Sequence, residues 1–415
     1  MAEPSLSVEC CVAGGGPAGM VAGLLLARAG VRTVVLEKHA DFLRDFRGDT
    51  IHPSTLEIMH ELGFLEDFLK LPHQKAATLA AEIGERTIRV ADFSHLPTRC
   101  RFIAFMPQWD FLDFLAERAS RFPGFGLLRR TEVTGLLIEN GRVAGVAARG
   151  PDGPITVRAS LVLGADGRHS TVRERAGLPV ETLGAPMDVL WFRLVRRADD
   201  PVESAGRFDS GRIFIRINRG KHWQCGFVIA KGSFAAVHAE GLPAFRRAVA
   251  ALMPFAAARL DEIVDWESVK LLTVGLDRLK TWHRPGLLCI GDAAHTMSPV
   301  GGVGINLAIQ DAVAAANILA GPLLRGEVGE AHLHQVQRRR ELPTRATQRV
   351  QLLIQNRVVS RVLAGTTALR PPLALRLLAA FPPLRRLPAR LIGLGIRPEH
   401  VRTAPADAQA GRVRS

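Results

Sequence analysis

The feature that most constrains this chain is a glycine-rich turn near its N-terminus. Residues 14–19 read G-G-G-P-A-G, which has the spacing G-x-G-x-x-G. A mostly apolar run at residues 7–12 precedes the turn, and apolar positions with a helical period follow it over residues 20–28. Residues 33–36 form a second apolar run, and Glu37 comes directly after it. This order predicts a strand, a glycine turn, a helix and a second strand that ends on an acidic residue.

The positions of the glycines in this βαβ pattern indicate a ligand. Gly14 permits a tight turn, Gly16 lets the backbone approach a pyrophosphate, and Gly19 lets the helix pack closely on the strand. A pyrophosphate would face the free N–H groups and the positive end of the helix dipole. Glu37, about 20 residues further on, can accept hydrogen bonds from both hydroxyls of an adenosine ribose. The pattern predicts a dinucleotide site, and it does not distinguish NAD from FAD.

Length and composition are typical of a globular chain of two or three domains. The chain has 415 residues, of which 47% are hydrophobic. No run approaches the ~18–20 uncharged apolar residues that a transmembrane helix needs. Glu3 and Glu9 stand where a signal peptide would carry positive charge, so we expect an unprocessed, cytoplasmic protein. The five cysteines are odd in number and form no C-x-x-C, which favours buried free thiols and no metal site.

The positive charge is concentrated in the last part of the sequence. The whole chain carries a net charge of +14, and residues 326–415 contain 16 Arg, no Lys and 5 acidic residues, a net of +11. Phe381 is the one aromatic residue among these arginines, whereas a nucleic-acid surface would interleave several, so we expect no nucleic-acid partner. Three interpretations stay open: the solvated faces of packed helices, weak contact with an anionic membrane, or contact with an acidic partner.

Two later motifs also consist of an apolar, strand-like run followed by an acidic residue, here an aspartate. Residues 161–164 read as a buried strand that runs into Asp166-Gly167, and residues 287–290 read as another that runs into Gly291-Asp292. Each aspartate would lie at the carboxyl end of a parallel strand, where open α/β sheets bind ligands. The strand-rich residues 188–274, between these motifs, predict a second sheet inserted into the first domain.

Shorter patterns locate the elements around these motifs. The turn at Asn140-Gly141 predicts a hairpin within a meander over residues 126–158. Residues 298–304 form a glycine-rich loop that leads into an alanine-rich helix. We expect the last dozen residues to be disordered. The predicted helices cover residues 53–62, 109–118, 305 to about 319, and the chain from 330 until prolines break it into short pieces.

With three motifs in this order and spacing, the chain resembles the single-component FAD-dependent monooxygenases of the aromatic hydroxylase family, the para-hydroxybenzoate hydroxylase-like class. The motifs are the glycine turn at 14–19, Asp166-Gly167 and Gly291-Asp292. The likeness covers residues 7 to about 320, and the three motifs together are highly specific.

The resemblance implies an α/β fold: a Rossmann-like FAD-binding domain, an inserted β-sheet domain that binds substrate, and a C-terminal helical segment rich in arginine. The predicted boundaries are 1–72, 106–180 and 284–325 for the FAD-binding domain, 73–105 and 181–283 for the β-sheet domain, and 326–415 for the C-terminal segment.

The resemblance also implies which residues contact the cofactor. The glycine turn would hold the pyrophosphate of FAD, Glu37 the adenosine ribose, Asp292 the ribityl–pyrophosphate region, and residues 299–306 the isoalloxazine ring. His295 is interpreted as a hydrogen-bonded spacer rather than a catalytic residue. The implied FAD contacts are Gly14, Gly16, Ala18, Gly19, Glu37, Lys38, Arg47, Gln108, Asp166, Gly167, Asp292, Pro299, Gly302, Gly304, Ile305 and Asn306.

The implied chemistry uses NADH or NADPH to reduce FAD, after which O2 gives a C4a-hydroperoxyflavin. Its distal oxygen would then hydroxylate or epoxidise an aromatic, polyketide-like or otherwise conjugated small molecule. The protein positions the substrate, excludes water and stabilises charge.

The chain contains no tyrosine, so a phenolic substrate must find another hydrogen-bonding partner. Candidates for substrate contact are His52, His222, Trp223 and Gln224, and the two histidines are also weak catalytic candidates. Other functions on the same fold stay open. One is an FAD-dependent dehydrogenase or reductase; halogenation is disfavoured because no W-x-W-x-I-P motif occurs. Residues 373–394 mix apolar residues with arginines, which would suit the surface of an anionic membrane.

Overall fold

A computed structural model describes residues 4–43, 50–365 and 371–406. The described residues contain twenty strands, most of them in two large sheets. In chain order the strands are β1 (Ser5–Ala13), β2 (Thr33–Leu36), β3 (Thr50–Ile51), β4 (Gln74–Ala76), β5 (Thr78–Ile83), β6 (Arg86–Asp92), β7 (Ile103–Phe105), β8 (Phe125–Leu128), β9 (Glu132–Glu139), β10 (Arg142–Gly150), β11 (Gly153–Gly164), β12 (Val180–Thr182), β13 (Met187–Val195), β14 (Ala205–Asp209), β15 (Arg212–Asn218), β16 (His222–Ala230), β17 (Lys270–Leu272), β18 (Asp277–Leu279), β19 (His283–Arg284) and β20 (Leu287–Cys289).

The helices lie mainly around the first sheet and in the C-terminal part. In chain order they are α1 (Pro17–Arg28), α2 (Pro53–Glu61), α3 (Leu65–Phe68), α4 (Gln108–Ala119), α5 (Thr171–Arg175), α6 (Phe234–Ala239), α7 (Leu242–Leu252), α8 (Gly304–Leu324), α9 (Glu330–Ile354), α10 (Ser360–Ala364), α11 (Leu373–Ala380) and α12 (Arg386–Gly393). A π-helical turn, Gln355–Val359, joins α9 to α10, and short 3-10 turns include Phe93–His95, Gly291–Ala293 and Val300–Gly302.

The first sheet has the order β19-β20-β11-β1-β2-β8, with β10 and β9 added beyond β11. Strands β20, β11, β1, β2 and β8 are parallel to one another, whereas β19 is antiparallel to β20. The second half of strand β1 is buried, which accounts for its apolar residues. Helices α1 and α8 both pack against this strand. The predicted first βαβ unit, the Asn140-Gly141 hairpin and the helices near residues 53, 109 and 305 are all confirmed.

The second sheet has the order β17-β13-β16-β15-β14-β5-β6. One of its faces packs on α7 through a core that contains Phe192, Trp223 and Phe245. The opposite face carries Trp191 and Val228 and packs against the loop at Val300 and the π-helical turn. This sheet brings strands from the two predicted stretches 73–105 and 181–283 together; the domain boundaries themselves stay a prediction.

Helix α8 corrects one expectation from the sequence. The helical span Val300–Leu324 is long and apolar enough to cross a membrane by length and composition alone, although no such run was expected. However, 78% of its most apolar window is buried inside the protein. Its apolarity therefore has an ordinary cause, since a helix surrounded by α1, α9 and the first sheet needs apolar residues on most sides.

The end of the described chain returns to the first domain. The backbone carbonyl of Thr403 accepts a hydrogen bond of 2.6 Å from Nη1 of Arg28, and the N–H of Val401 donates to Oε2 of Glu61 at 2.7 Å. The expectation of a disordered end concerns mainly residues 407–415, which lie outside the described residues. All five cysteines are buried free thiols, as predicted.

Candidate active site

Four parallel strands of the first sheet end at the same level, and the predicted motifs follow those ends. In the register, Ala13 at the end of β1 pairs with Leu36 of β2 and with Gly164 of β11, and Gly164 pairs with Cys289 of β20. The glycine turn, Glu37, Asp166 and Asp292 come directly after these positions. The fold therefore gathers all three motifs at one carboxyl edge, the usual ligand site of an open parallel sheet.

The glycine turn has the shape of a cradle that is closed toward the protein and open on one side. Gly14 has φ of +104°, and a Cβ there would lie 2.4 Å from the carbonyl oxygen of Ala165. A Cβ on Gly19 would lie 1.9 Å from the carbonyl oxygen of Gly14, so both positions exclude side chains. A Cβ on Gly16 would meet no atom within 4 Å. The space beside Gly16 therefore fits an external group such as a pyrophosphate.

The N-terminus of α1 points at that open space. Gly16 is its N-cap and provides no side-chain cap, Pro17 follows, and no acidic residue lies in the first turn. The N–H groups of Ala18 and Gly19 have no partner inside the helix, because the first turn of any helix lacks one. An anion placed there would be stabilised by these N–H groups and by the helix dipole.

Glu37 supports the glycine turn from the neighbouring strand. Its Oε2 accepts a hydrogen bond of 3.0 Å from the N–H of Gly15, and its Oε1 accepts one of 3.0 Å from the N–H of His39. Both carboxylate oxygens of Glu37 therefore lie beside the glycine turn, at the end of β2. Lys38 beside it is exposed.

Asp166 forms hydrogen bonds to residues that follow it in the second motif. Its two carboxylate oxygens accept hydrogen bonds from Oγ of Ser170 and from the N–H of Val172, the second at 3.1 Å, and so they cap helix α5. Burial raises the pKa of Asp166, and the hydrogen bond from Ser170 opposes that rise. Gly167 next to it has φ of +87° and open space where a Cβ would be. Asp166 therefore holds the backbone of this turn in place.

The second and third motifs meet across the edge. Nη2 of Arg168 lies 4.0 Å from Oδ2 of Asp292, and both side chains are about one-third exposed. The backbone at Gly291 is held by Asp311 of α8, whose Oδ2 accepts the Gly291 N–H at 3.1 Å. Asp292 therefore stands on a rigid turn with its carboxylate toward solvent.

Asp311 is the centre of a buried ionic cluster beneath that turn. Its Oδ2 lies 2.6 Å from Nε2 of His295, and its Oδ1 accepts a hydrogen bond of 2.9 Å from Nε of Arg340 on α9. All three side chains are almost completely buried. Burial alone would raise the pKa of Asp311, but His295 and Arg340 hold it below its ordinary value. This geometry supports the interpretation of His295 as a hydrogen-bonded structural residue.

The loop that precedes α8 is fixed from the opposite side by strand β3. Oδ1 of Asn306 accepts hydrogen bonds from the N–H of His52 at 2.9 Å and from Oγ1 of Thr55 at 2.8 Å, while its Nδ2 donates to the carbonyl of Thr50 at 3.0 Å. Oγ1 of Thr50 donates to the carbonyl of Gly302 at 2.9 Å. Asn306 thus holds the loop, and the partly exposed Pro299, Gly302, Gly304 and Ile305 form its outer surface.

A row of buried glutamines on α9 holds the first part of the same loop, which the sequence analysis missed. Gln351 accepts a hydrogen bond from the N–H of Ser298 and donates to the carbonyls of Ser298 and Val300, all between 2.9 and 3.1 Å. Gln355, in the π-helical turn, donates to Oγ of Ser298. The glutamine row consists of Gln337, Gln348, Gln351 and Gln355. Their separations of 11, 3 and 4 residues place them on one face of the helix, since 11 residues make about three turns, and this pattern was a readable signal.

The histidine candidates lie in different surroundings. His52 is fully buried, its Nδ1 lies 2.7 Å from the carbonyl oxygen of Ile392, and burial lowers its pKa to about 4. Its Nε2 has no hydrogen-bonding partner in the described part of the chain. His222 is half-buried at the start of β16; burial lowers its pKa, and Arg193 and Arg219 add to that effect. His52 is therefore neutral near pH 7.

The remaining candidates separate onto the two faces of the second sheet. Trp223 is buried in the core on the α7 side, and its Nε1 donates to Asp200 at 2.9 Å, which argues against substrate contact. Gln224 points to the other face and accepts a hydrogen bond of 2.9 Å from Nε of Arg219. Gln108 begins helix α4 and is half-buried. Arg47 lies outside the described residues.

Comparisons with known proteins agree with this arrangement. The family model described as "FAD binding domain" matches residues 7–351. The chain is 34% identical to 6-methylpretetramide 4-monooxygenase from Streptomyces rimosus, over 95% of this chain and 94% of that protein. It is 30% identical to rifampicin monooxygenase from Streptomyces venezuelae, over 73% of this chain and 62% of that protein.

A solved structure has the same fold. It is the anhydrotetracycline hydroxylase OxyS from Streptomyces rimosus, with a TM-score of 0.72, 23% identity, and coverage of 94% of this chain and 76% of that one. The open cradle at Gly16 and the uncapped N-terminus of α1 fit the pyrophosphate of FAD. The chain therefore belongs to the FAD binding domain family and is an FAD-dependent monooxygenase.

Proposed function

We propose that this monooxygenase transfers one oxygen atom of O2 to an aromatic polyketide or a similarly conjugated small molecule, with NADH or NADPH as electron donor. The observation that supports this most is the 34% identity to 6-methylpretetramide 4-monooxygenase over 95% of the chain. That similarity extends beyond the three cofactor motifs and includes the second sheet and the C-terminal helices. These are the parts that would surround a substrate.

The residues proposed to hold FAD are those at the carboxyl edge of the first sheet, together with Arg47 and Gln108. The N–H groups of Ala18 and Gly19 would bind the pyrophosphate, and Glu37 at the end of the second strand would contact the adenosine ribose. When bound, FAD would supply the redox chemistry, by accepting a hydride from NADH or NADPH and carrying oxygen as a C4a-hydroperoxide. The loop held by Asn306 and Gln351 would position the reactive ring and keep water away from it.

We propose that the substrate lies between this loop and the face of the second sheet that carries Trp191. Val300 of the loop packs in the same apolar cluster as Trp191 and Val228. A Cβ on Gly226 would lie 3.0 Å from the Trp191 ring, so the glycine lets the indole lie against β16. A flat apolar wall with a nearby amide suits a fused aromatic substrate.

The hydrogen-bonding groups of this wall would take the place of the missing tyrosine. Gln224 and His222 alternate with Trp223 along β16, so both point to the same face as Trp191. His222 is half-buried and remains the better candidate for proton transfer. His52 is enclosed behind α12 and neutral, so we propose no proton transfer from it.

The test uses the purified holoenzyme with a panel of phenols, quinones and aromatic polyketides. We expect bound FAD, NAD(P)H oxidation that a polyketide accelerates, and one atom of 18O from 18O2 in the product by mass spectrometry. Peroxide release is measured in parallel to separate coupled from uncoupled oxidation. Turnover under anaerobic conditions with an organic acceptor, and no label in the product, would replace this proposal with a reductase.

A further inference from the structure

The short helix α11 is an apolar element without a core to pack on. Its sequence is L-A-L-R-L-L-A-A, and none of its side chains is buried, although it lies beside β6. Large apolar side chains continue to be exposed along the next turns. This leucine face comprises Leu373, Leu377, Phe381, Leu384 and Leu387, with exposed fractions between 37% and 69%. Isolated helices of this length are unstable in water. We therefore expect a binding partner to cover the leucine face and to stabilise α11.

The charge of the same segment indicates the chemistry of that partner. Residues 371–398 contain five arginines and no lysine, aspartate or glutamate. Arg386 and Arg390 line a cleft of about 150 Å³ together with His95 and Asp92. Asp92 already accepts hydrogen bonds from the N–H and Oγ of Ser94. The cleft therefore offers two guanidinium groups next to the leucine face, and guanidinium binds phosphate well.

Other partners fit this combination less well. In a twofold contact between two copies, each segment would place its arginines against the arginines of the other, with no acidic residue of the segment between them. A nucleic acid would leave the leucine face in water. An anionic bilayer satisfies both features, because acyl chains take up leucine and phenylalanine while headgroup phosphates pair with arginine.

We propose that residues 371–397 form a surface that docks on anionic phospholipid membranes, with the leucine face in the acyl boundary and a headgroup phosphate at Arg386 and Arg390. The segment has a firm attachment to the enzyme. A Cβ on Gly393 of α12 would lie 2.7 Å from Leu96 and 3.2 Å from Phe93, and the carbonyl of Ile392 is held by His52. The surface is thus a fixed part of the fold rather than a loose tail.

Co-sedimentation of the full-length holoenzyme with vesicles tests the proposal. We expect binding to vesicles of equimolar phosphatidylcholine and phosphatidylglycerol, little binding to pure phosphatidylcholine, and release at high salt. The double variant Arg386→Gln, Arg390→Gln should lower the partition coefficient about 25-fold, because each arginine near an anionic surface contributes about a fivefold factor. Leu377→Ser with Leu387→Ser should also abolish binding.

The matched control is Arg149→Gln with Arg247→Gln, which removes two exposed arginines elsewhere on the surface. This control should retain at least half of the wild-type partitioning. All variants should keep wild-type FAD content and thermal midpoint, because the exchanged side chains are exposed. An equal loss in the control would overturn the proposal, as would absence of vesicle binding. Dimerisation in sedimentation velocity that Leu377→Ser with Leu387→Ser abolishes would instead assign the face to a second copy.

Discussion

Three glycines of one motif differ in what surrounds them. Gly14 and Gly19 are required because their hydrogens face backbone atoms of the protein at distances where no Cβ fits. Gly16 has an ordinary φ of −72° and faces open space, so an alanine there is tolerated by the protein itself. The fold itself therefore demands glycine at Gly14 and Gly19, whereas at Gly16 only the proposed FAD pyrophosphate would demand it.

Gly16→Ala and Gly19→Ala form a matched pair that separates these causes. We expect Gly16→Ala to keep the thermal midpoint of the apoenzyme and to raise the Kd for FAD about tenfold or more, since overpacking costs about 1–3 kcal/mol. Gly19→Ala should destabilise the apoenzyme by at least that amount. Fluorescence titration with FAD and thermal unfolding measure the two effects. An equal loss of apoenzyme stability in both variants would contradict this assignment.

His52 makes the stability of the protein dependent on pH. Its pKa is about 4 in the fold and about 6.5 in an unfolded chain. The unfolded state therefore binds more protons between these values, so the free energy of unfolding rises with pH there. The stabilisation lost as pH falls from 6.5 to 4 is about 3 kcal/mol.

His52→Asn should remove this dependence, because an amide can still donate to the carbonyl of Ile392 and does not titrate. We expect the free energy of unfolding of the wild type to fall by about 3 kcal/mol relative to the variant between pH 7 and pH 4. Guanidinium unfolding at several pH values measures this difference. Parallel pH profiles of the two proteins would show that folding does not change the pKa of His52.

At the scale of elements, helix α9 and its π-helical turn determine where the loop before α8 lies. Gln351 takes both the N–H and the carbonyl of Ser298, so the helix acts like a neighbouring strand for that residue. The π-helical turn then turns Gln355 toward Oγ of Ser298 and places Val359 in the cluster under Trp191. π-Helical turns often mark functional sites, and this one lies between the proposed cofactor loop and the proposed substrate wall.

Gln351→Leu should leave the N–H and two carbonyls at Ser298 and Val300 without partners. We expect a loss of about 1–3 kcal/mol in the free energy of unfolding and a changed flavin signal in visible circular dichroism, since the loop would no longer hold one position. Gln335→Leu on the same helix, where Gln335 is exposed, is the control and should change neither. A normal flavin spectrum with lowered stability would limit Gln351 to a structural role.

At the scale of the whole molecule, the end of the described chain ties helices from distant parts of the sequence together. Glu61 of α2 binds both Nδ1 of His400 and the N–H of Val401, while Asn317 of α8 donates to the carbonyl of His400 and accepts from the N–H of Arg402. These contacts join residues more than 80 positions apart. The end of the C-terminal segment therefore packs on the surface of helices α2 and α8.

Glu61→Ala should release this connection. We expect a loss of about 1–3 kcal/mol in the free energy of unfolding, because the tail loses two hydrogen bonds to a charged group, and faster cleavage after Arg402 in limited trypsin digestion. Glu66→Ala, at an exposed position nearby, should have no effect on either. Unchanged digestion of Glu61→Ala would mean that other contacts hold the tail.

The sequence alone determined the carboxyl edge of the first sheet and the family. Glycine spacing, strand-length apolar runs and a following aspartate are local signals, because each depends on backbone conformation within a few residues. Asp166, Asp292 and the glycine turn were therefore readable without the fold, and parallel pairing brought their strand ends together. Free cysteines and the inserted sheet followed from composition and strand pattern in the same way.

The tertiary structure decided which polar side chains serve the fold and which face the site. Trp223 and Gln224 are neighbours in sequence, yet the strand pleat sends one into a core and the other to the opposite face, where it accepts a hydrogen bond from Arg219. His52, Asn306 and Gln351 hold backbone groups about 50 to 340 positions away. Such partners depend on how sheets and helices pack, because a buried polar group bonds to whatever backbone the fold brings to it.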